Sequence, residues 1–406
     1  MSDALPLPPR PHLDQYKKVA KDLQHACRSA EPGANRAWAK RLVETIMRLR
    51  ASPTTPEAQG EIDREAERIE RRWSSFKEKH ERAAKCQLAD AQLFVAREHG
   101  FVSWPRFASH IEGLTKPGSP VSAFESAVDA IIRGDTATVK RLLKKHPGLA
   151  RARSTREHRS TLLHYVSANG VEDFRQQTPK NIVEIAKILL DAGADVNAES
   201  DAYGGGCTAI GLVGTSIHPE AAGVQIALLE TLIDRGAYIE KPGLAGNRHS
   251  AVVGCLANGQ PEAARFFAER GARLDLEAAA GIGRLDVVRT FFDDRGNLEK
   301  GTTRKQFESG FRYACGYGHP EVVRFLLDKG VNPGARDDGD QTGLHWTTYG
   351  PHVEIAKMLI AAGAPLDARD TMFHATPLDW ARYALSQTTE PERREKFNEL
   401  IRLLSA

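Results

Sequence analysis

Five short stretches of the chain repeat one pattern: KILLDAGADVN (187–197), TLIDRGAYIE (231–240), FFAERGARLD (266–275), FLLDKGVNPG (325–334) and MLIAAGAPLD (358–367). In each, an apolar helix end runs into a glycine and then an extended step. The glycines are Gly193, Gly236, Gly271, Gly330 and Gly363. Glycine suits the residue after a helix, where the backbone turns left-handed and a Cβ is penalised. Gly330 and Gly363 are 33 residues apart, and Gly236 and Gly271 are 35 apart. A helical unit that short cannot bury a core alone, so such units must stack on their neighbours. The chain is therefore expected to be largely an all-α array of repeats.

The other half of each unit is equally regular. TGLHWTTYGPHVEIAKMLIAAGAPLDARD (342–370) carries Thr342, Leu344 and His345, TPLDWA stands at 376–381, and TLLH at 161–164. These segments resemble the ankyrin repeat, with its T-P-L-H box and its β-turn followed by two helices. The resemblance spans 122–406. It implies an ankyrin-repeat solenoid of about eight helix–turn–helix repeats with short β-hairpin turns. SAFESAVDAIIRGD (122–135) would be a degenerate first repeat that caps the stack. The resemblance also implies that His164 and His345 hold turns by hydrogen bonds within and between repeats, a structural task. DAQLFVAREHGFVSWPRF (90–107), TLLHYVSANGVEDFRQ and DAYGGG are similar to segments of a group of bacterial ankyrin-repeat proteins with a helical segment before the repeats. That likeness transfers architecture and no activity.

Residues 1–118 read as a small helical domain. EIDREAERIERRWSSFKEKHERAAKCQ (61–87) has almost no breakers and only a thin apolar stripe, the pattern of a solvated helix face. ASPTTPEAQG (51–60) separates it from an earlier helix. Gly100 ends a helix, Ser103 caps the next, and Pro105 lies in its first turn. Trp104 and Phe107 are expected to anchor that pair to a core, and TKPGSP (115–120) to link it to the array.

Charge and cysteine usage narrow the function. Net charge is +3 over 406 residues, and the first 118 carry 21 Lys and Arg against 16 Asp and Glu. A mild basic excess with no basic stripe argues against nucleic acid as a partner. Cys27, Cys86, Cys207, Cys255 and Cys315 are an odd, dispersed set with no CxxC pair, which argues against a disulfide framework or zinc site and for a reducing compartment. No signal-peptide core or stretch of 18 apolar residues is present, so the expected location is cytoplasmic, away from membrane. No metal and no cofactor are expected.

In the first helix of each repeat, positions five, eight and nine share one face, which in ankyrin arrays points to the concave surface. Towards the amino end this face offers Tyr165, Asn169, Thr215, Ser216 and Asn258. Its middle is small, with Gly254, Ala278 and Gly281, and its carboxyl end carries Tyr313, Tyr317, Trp346, Tyr349, Trp380 and Tyr383. Five of the eight tyrosines fall on this face, which suits a ligand groove with a hollow centre and aromatic walls. Tyr165, Trp346 and Trp380 fit equally well as packing between helices, whereas Tyr317, Tyr349 and Tyr383 are expected to be more exposed. Alternatively, the amino-terminal helices fold back over the face.

Two neighbouring repeats are also too long. About eleven extra residues follow Gly170 (171–181) and about seven follow His218 (219–226). Stacking would bring the two insertions out on the same edge as a wall or lid. The first supplies Glu172, Arg175 and Gln176, and the second is headed by His218. Arg175 could clamp an anion or tie the loop to Glu172 or Asp173. HPE at 218–220 repeats HPE at 319–321, an ordinary helix start. Between the insertions, SDAYGGGC (200–207) puts Tyr203 beside three glycines, which suits close backbone approach to a ligand or to the inserted loop.

The leading expectation is a binding protein that takes a protein, peptide or other ligand on its concave face. The alternative is a small-molecule binder or cofactor-independent lyase, isomerase or hydrolase. Glu172 and His218 would then be its acid–base pair, Arg175 would hold an anion, and Tyr317, Tyr349 and Tyr383 would stand opposite. Nucleic-acid binding ranks last.

Overall fold

The structure is a computed structural model, and it describes residues 4–8, 10–49, 56–80, 85–240 and 250–405. Parts of the expected loop at 51–60 and of the helix expected over 61–87 lie outside the described residues. The chain divides into two compact units, Met1–Ala237 and Tyr238–Ala406. The division falls inside the array, not at the 115–120 linker.

The first unit begins with α1 (Leu13–Arg28), α2 (Ala34–Leu49), α3 (Pro56–Lys79), α4 (Leu88–Glu98) and α5 (Trp104–Thr115). Three helix pairs follow. The first is α6 (Pro120–Arg133) with α7 (Thr136–Lys145), and the second is a 3-10 turn at Leu162–Ser167 with α8 (Ile182–Asp191). The third is α9 (Ala209–Gly214), with α10 (Ile217–Ala221) inserted before α11 (Gln225–Asp234). The stripe of α3 is Ile62, Ala66, Ile69, Trp73 and Phe76, in alternating steps of four and three, and it packs with Trp38 and Phe94. That spacing keeps every large side chain on one side of a highly charged helix. Phe107 is buried in the same core, with Trp104 half-buried against it. Helix α5 packs on α6, so the amino-terminal helices and the first repeats share one unit.

The second unit contains five pairs: α12 (Ala251–Ala257) with α13 (Pro261–Glu269), α14 (Leu276–Gly281) with α15 (Leu285–Arg289), α16 (Arg304–Tyr317) with α17 (Pro320–Asp328), α18 (Gly343–Trp346) with α19 (Val353–Ala361), and α20 (Pro377–Gln387) with α21 (Pro391–Leu404). Leu276, Phe311, Val323, Leu344, Leu359 and Phe397 belong to its continuous core. Strand pairing among the described residues is slight. β1 (Glu199–Ser200) and β2 (Cys207–Thr208) form one antiparallel ladder, beside isolated bridges at Arg153–Thr161 and Phe292–Leu298.

The repeat glycines do what their pattern requires. Gly193, Gly236, Gly271, Gly330 and Gly363 all have φ between 80° and 87°. The small centre of the inner face is not hollow, however. A Cβ at Gly281 would collide with Leu256 Cδ1 and approach Tyr313 Cβ to 3.1 Å, so neighbouring side chains already fill that space.

Candidate functional site

The two box histidines share one geometry. The Thr161 backbone N–H donates to His164 Nδ1 at 3.1 Å, and His164 Nε2–H donates to the Cys207 carbonyl at 3.1 Å. In the second unit, the Thr342 N–H donates to His345 Nδ1 at 3.0 Å and His345 Nε2–H reaches the Ala375 carbonyl at 3.2 Å. Each ring therefore closes its own turn and ties it to the next hairpin. Burial pushes the His164 imidazole down to about 4, so it is neutral, as its acceptor role demands. His319 and His352, at the starts of α17 and α19, reach back to the carbonyls of Gly281 and Gly316, both at 3.0 Å.

The first insertion turns into the protein. Val171, Glu172 and Arg175 are buried, and a single 3-10 turn at Asp173–Arg175 carries the chain past them. Glu172 Oε1 faces Arg156 Nε, Arg175 Nη1 at 3.4 Å, His158 Nε2 at 3.6 Å and the Tyr165 hydroxyl at 3.5 Å. Arg175 Nη2 bonds Glu125 at 2.7 Å and Asp129 at 3.1 Å, both on α6. Arg156 Nη1 donates to the His99 carbonyl at 2.8 Å and its guanidinium lies over the Phe101 ring. Burial alone would raise the Glu172 carboxyl, but Arg156 and Arg175 outweigh it and hold Glu172 well below the ordinary carboxylate range. Glu125 is lowered in the same way by Arg175 and Arg156 against its burial. Burial likewise opposes the Arg175 charge, and Glu125 and Glu172 reverse that. The network joins α4, α6 and the insertion of one unit.

These contacts bear on the acid–base pair. Glu172 is 1% exposed and locked as an anion between two arginines, so it does not carry a proton near neutral pH. His218 lies in the first turn of α10, behind the cap Ser216, whose Oγ accepts its N–H at 3.4 Å. It therefore heads an extra turn, unlike His319, which stands at the N-cap of α17. Gln225 anchors this second insertion by donating to the Val213 and Ser216 carbonyls at 3.0 and 3.1 Å.

The remaining amino-side candidates are mostly bonded to the protein. Tyr165 is 1% exposed, its ring packed near Phe124 and His158, and is core. Gln176 donates to the Val171 carbonyl at 2.9 Å within its own loop. Ser216 is buried, and Asn258 Nδ2 donates back to the Gly254 carbonyl of its own helix at 2.9 Å. Asn169, Thr215 and Tyr203 do meet. The Tyr203 hydroxyl donates to Asn169 Oδ1 at 2.6 Å, and Asn169 Nδ2 donates to Thr215 Oγ1 at 3.1 Å. Tyr203 and Gly204–Gly206 all have positive φ, and a Cβ at Gly204 or Gly205 would stand in open space. The glycine run is thus demanded by backbone conformation. The close approach is at Gly170, where a Cβ would come within 3.0 Å of Ala202 and Leu212.

The second unit gathers the aromatic candidates into one continuous series. Tyr313 meets Trp346 edge-on at 5.4 Å between centroids, Trp346 meets Tyr349 at 5.1 Å, and Tyr349 meets Trp380 at 6.1 Å. Trp346 Nε1 donates to Asp337 at 3.1 Å and Trp380 Nε1 to Asp370 at 2.9 Å, so each indole is fixed by the preceding hairpin. Tyr317 donates to the Leu256 carbonyl and is half-buried. Burial pushes the Tyr313 hydroxyl up to about 12. By contrast, Tyr349, Phe373 and Tyr383 are 48%, 68% and 69% exposed. They edge a groove of about 790 Å³ whose other lining includes Trp380, Gln387–Glu390 and Arg393. Phe373 is held at a hairpin tip, where its N–H donates to the buried Asp370 carboxylate at 2.6 Å.

Sequence reasoning missed Glu125, Asp129, Arg156 and His158, each of which reads as an ordinary surface residue alone. It also missed Phe373 and Arg393. The expectation of no disulfide framework needs a correction, because Cys27 and Cys86 form one disulfide with Cα atoms 5.8 Å apart. Cys255 and Cys315 are buried, and burial raises both thiols, to about 12 for Cys255. Among the described residues no group of three or more His, Cys, Asp or Glu could hold a metal, and no helix is long and apolar enough to cross a membrane.

Comparison with known proteins places the repeats. Residues 311–360, covering most of α16 through α19, match the family described as ankyrin repeats (many copies). A 95-residue stretch is 32% identical to the E3 ubiquitin-protein ligase hecd-1 of Caenorhabditis elegans, covering 23% of this chain. The chain spans 3% of that relative's length. Among solved structures, the ankyrin repeat domain of Bcl-3, a member of the IkappaB protein family, aligns at 18% identity and a TM-score of 0.29, over 69% of this chain and 98% of that one. The human ASB11 ankyrin repeat domain aligns at 19% and 0.34, over 68% and 96%. TM-scores this low do not establish a shared overall arrangement. Residues 311–360 thus carry ankyrin repeats, and the histidine-closed turns and glycine-ended helix pairs repeat the same geometry along the rest of the array.

Proposed function

We propose that the protein binds a partner protein through the aromatic face of its second unit, which takes up an extended apolar segment of that partner. Ankyrin repeats generally mediate protein–protein binding, which supports the class of function. The observation that carries the specific reading is the exposure of Tyr349, Phe373 and Tyr383 around one groove. Large aromatic side chains are costly to leave in water, and they supply rigid contact area with little rotamer entropy to lose. Asp337, Asp370 and the edge-on ring contacts fix the indoles behind them, so the face is formed before a partner arrives. Glu390 and Arg393 would form the polar rim of such a site.

Selection of displayed twelve-residue peptides against the full chain tests this reading. Enriched peptides should share an apolar or aromatic anchor and should not be retained by Tyr383→Ala. Enrichment of peptides without such an anchor, held equally by Tyr383→Ala, contradicts it.

A further inference from the structure

We infer that the first unit contains a separate binding site for a small organic anion, one with a phosphate or carboxylate head and an apolar body. The site is a cavity of about 890 Å³ beside the buried ion network, and its lining includes Arg10, Arg133, Arg156, Arg175, Glu125 and Asp129. The inference uses residues of the first unit alone, so it stands or falls independently of the aromatic face.

The charge balance of this cavity favours an anion. Both lining carboxylates are already engaged by Arg175 Nη2, at 2.7 Å for Glu125 and 3.1 Å for Asp129. Arg156 is occupied by Glu172 and the His99 carbonyl. Arg10 and Arg133 are exposed and make no close ion pair among the described residues, although Arg133 also acts through space on Asp135. A concave site with surplus positive charge and low-dielectric walls concentrates anions.

A second, independent observation comes from Arg175 itself. It is 8% exposed, it lines the cavity, and its Nε has no hydrogen-bond partner. That N–H is closed off from solvent, so an entering anion would act on Arg175 through its field and not by a hydrogen bond at Nε. Ser122 and Ser126 also line the cavity, and their hydroxyls can donate to the same head group, whereas Thr115 Oγ1 donates to the Glu112 carbonyl at 2.9 Å. Leu7, Leu114, Ile132 and Phe174 supply an apolar wall, which a bare inorganic ion would leave unused.

Calorimetric titration of the full chain with phenyl phosphate, benzoate and inorganic phosphate tests the site. Arg10→Gln and Arg133→Gln are the informative variants, because neither residue takes part in the buried network and folding can be checked by circular dichroism. The expected result is saturable one-to-one binding of phenyl phosphate or benzoate, at least tenfold tighter than inorganic phosphate. Each variant should weaken it at least tenfold. The tighter of the two aromatic probes identifies the head group. Saturable binding of neither probe, binding unchanged in both folded variants, or inorganic phosphate binding as tightly as phenyl phosphate would overturn the inference.

Discussion

The Arg156 guanidinium lies against the Glu172 carboxylate with both side chains 1% exposed, and the two residues come from different loops of the first unit. Neither charge has water to fall back on. Glu172 brings the insertion with it, and Arg156 reaches the last turn before α5 through the His99 carbonyl. The insertion that lengthens the second repeat therefore acts as a tether between the repeats and the preceding helices.

Breaking this tether from one side should be expensive. Glu172→Gln leaves Arg156 and Arg175 short of their shared anion, and removal of one partner of a buried pair costs about 3–5 kcal/mol. Glu172→Leu combined with Arg156→Met removes both charges and should cost less than either single change. Urea unfolding followed by circular dichroism reads the difference. A double variant less stable than both singles would show that the network stabilises beyond mutual compensation of its charges.

Acid should weaken the first unit well above the ordinary carboxylate range. Burial pushes His99, His110 and His164 down from 6.5 to about 4, so the unfolded chain binds their protons first. Glu98 works in the opposite direction, because burial against the pull of Arg72 lifts it from 4.5 to about 7 and the folded state binds its proton first. Between pH 4.5 and 6.5 the unfolded state therefore holds roughly two more protons, a slope of at most about 3 kcal/mol per pH unit. The contribution of the histidines is fully present above pH 6.5 and falls away towards pH 4, whereas that of Glu98 is present below pH 4.5 and lost as pH rises through about 7. Denaturant midpoints should be lower at pH 5 than at pH 7, and equal or higher midpoints at pH 5 would contradict this assignment.

Reduction should also destabilise the amino-terminal helices. The Cys27–Cys86 bond closes a loop of 59 residues, for which chain entropy in the unfolded state corresponds to about 4 kcal/mol. Dithiothreitol should lower the melting temperature of the wild type and leave Cys27→Ala/Cys86→Ala unchanged. An identical shift in both proteins would place the effect elsewhere.

How much of this was legible beforehand follows from the range of each interaction. The glycine helix ends and the Thr–His turns are local, so their period exposed the repeat fold. Helical spacing together with the ankyrin likeness gave the exposure of Tyr349 and Tyr383, but it gave Tyr317 the same exposure, and Tyr317 is half-buried with its hydroxyl on the Leu256 carbonyl. Glu172 and Arg175 stood out because an insertion has no place in the repeat. Their partners did not stand out, since Glu125 and Asp129 on α6 look like solvent-facing carboxylates until the chain folds. The pairing of Cys27 with Cys86 has no periodic signature. Phe373 was hidden because its exposure depends on the bonds that Asp370 makes across the hairpin.

The aromatic face is tested most directly by the affinity of one selected peptide, measured by calorimetry against the wild type, Tyr349→Ala, Phe373→Ala and Tyr383→Ala. Tyr203→Phe, in the first unit, serves as the control. Truncation of an aromatic anchor typically costs about 2 kcal/mol or more, which is roughly thirtyfold in Kd. The account predicts a loss of that size for at least two of the three alanine variants and none for Tyr203→Phe. Unchanged affinity in all three folded alanine variants would contradict it.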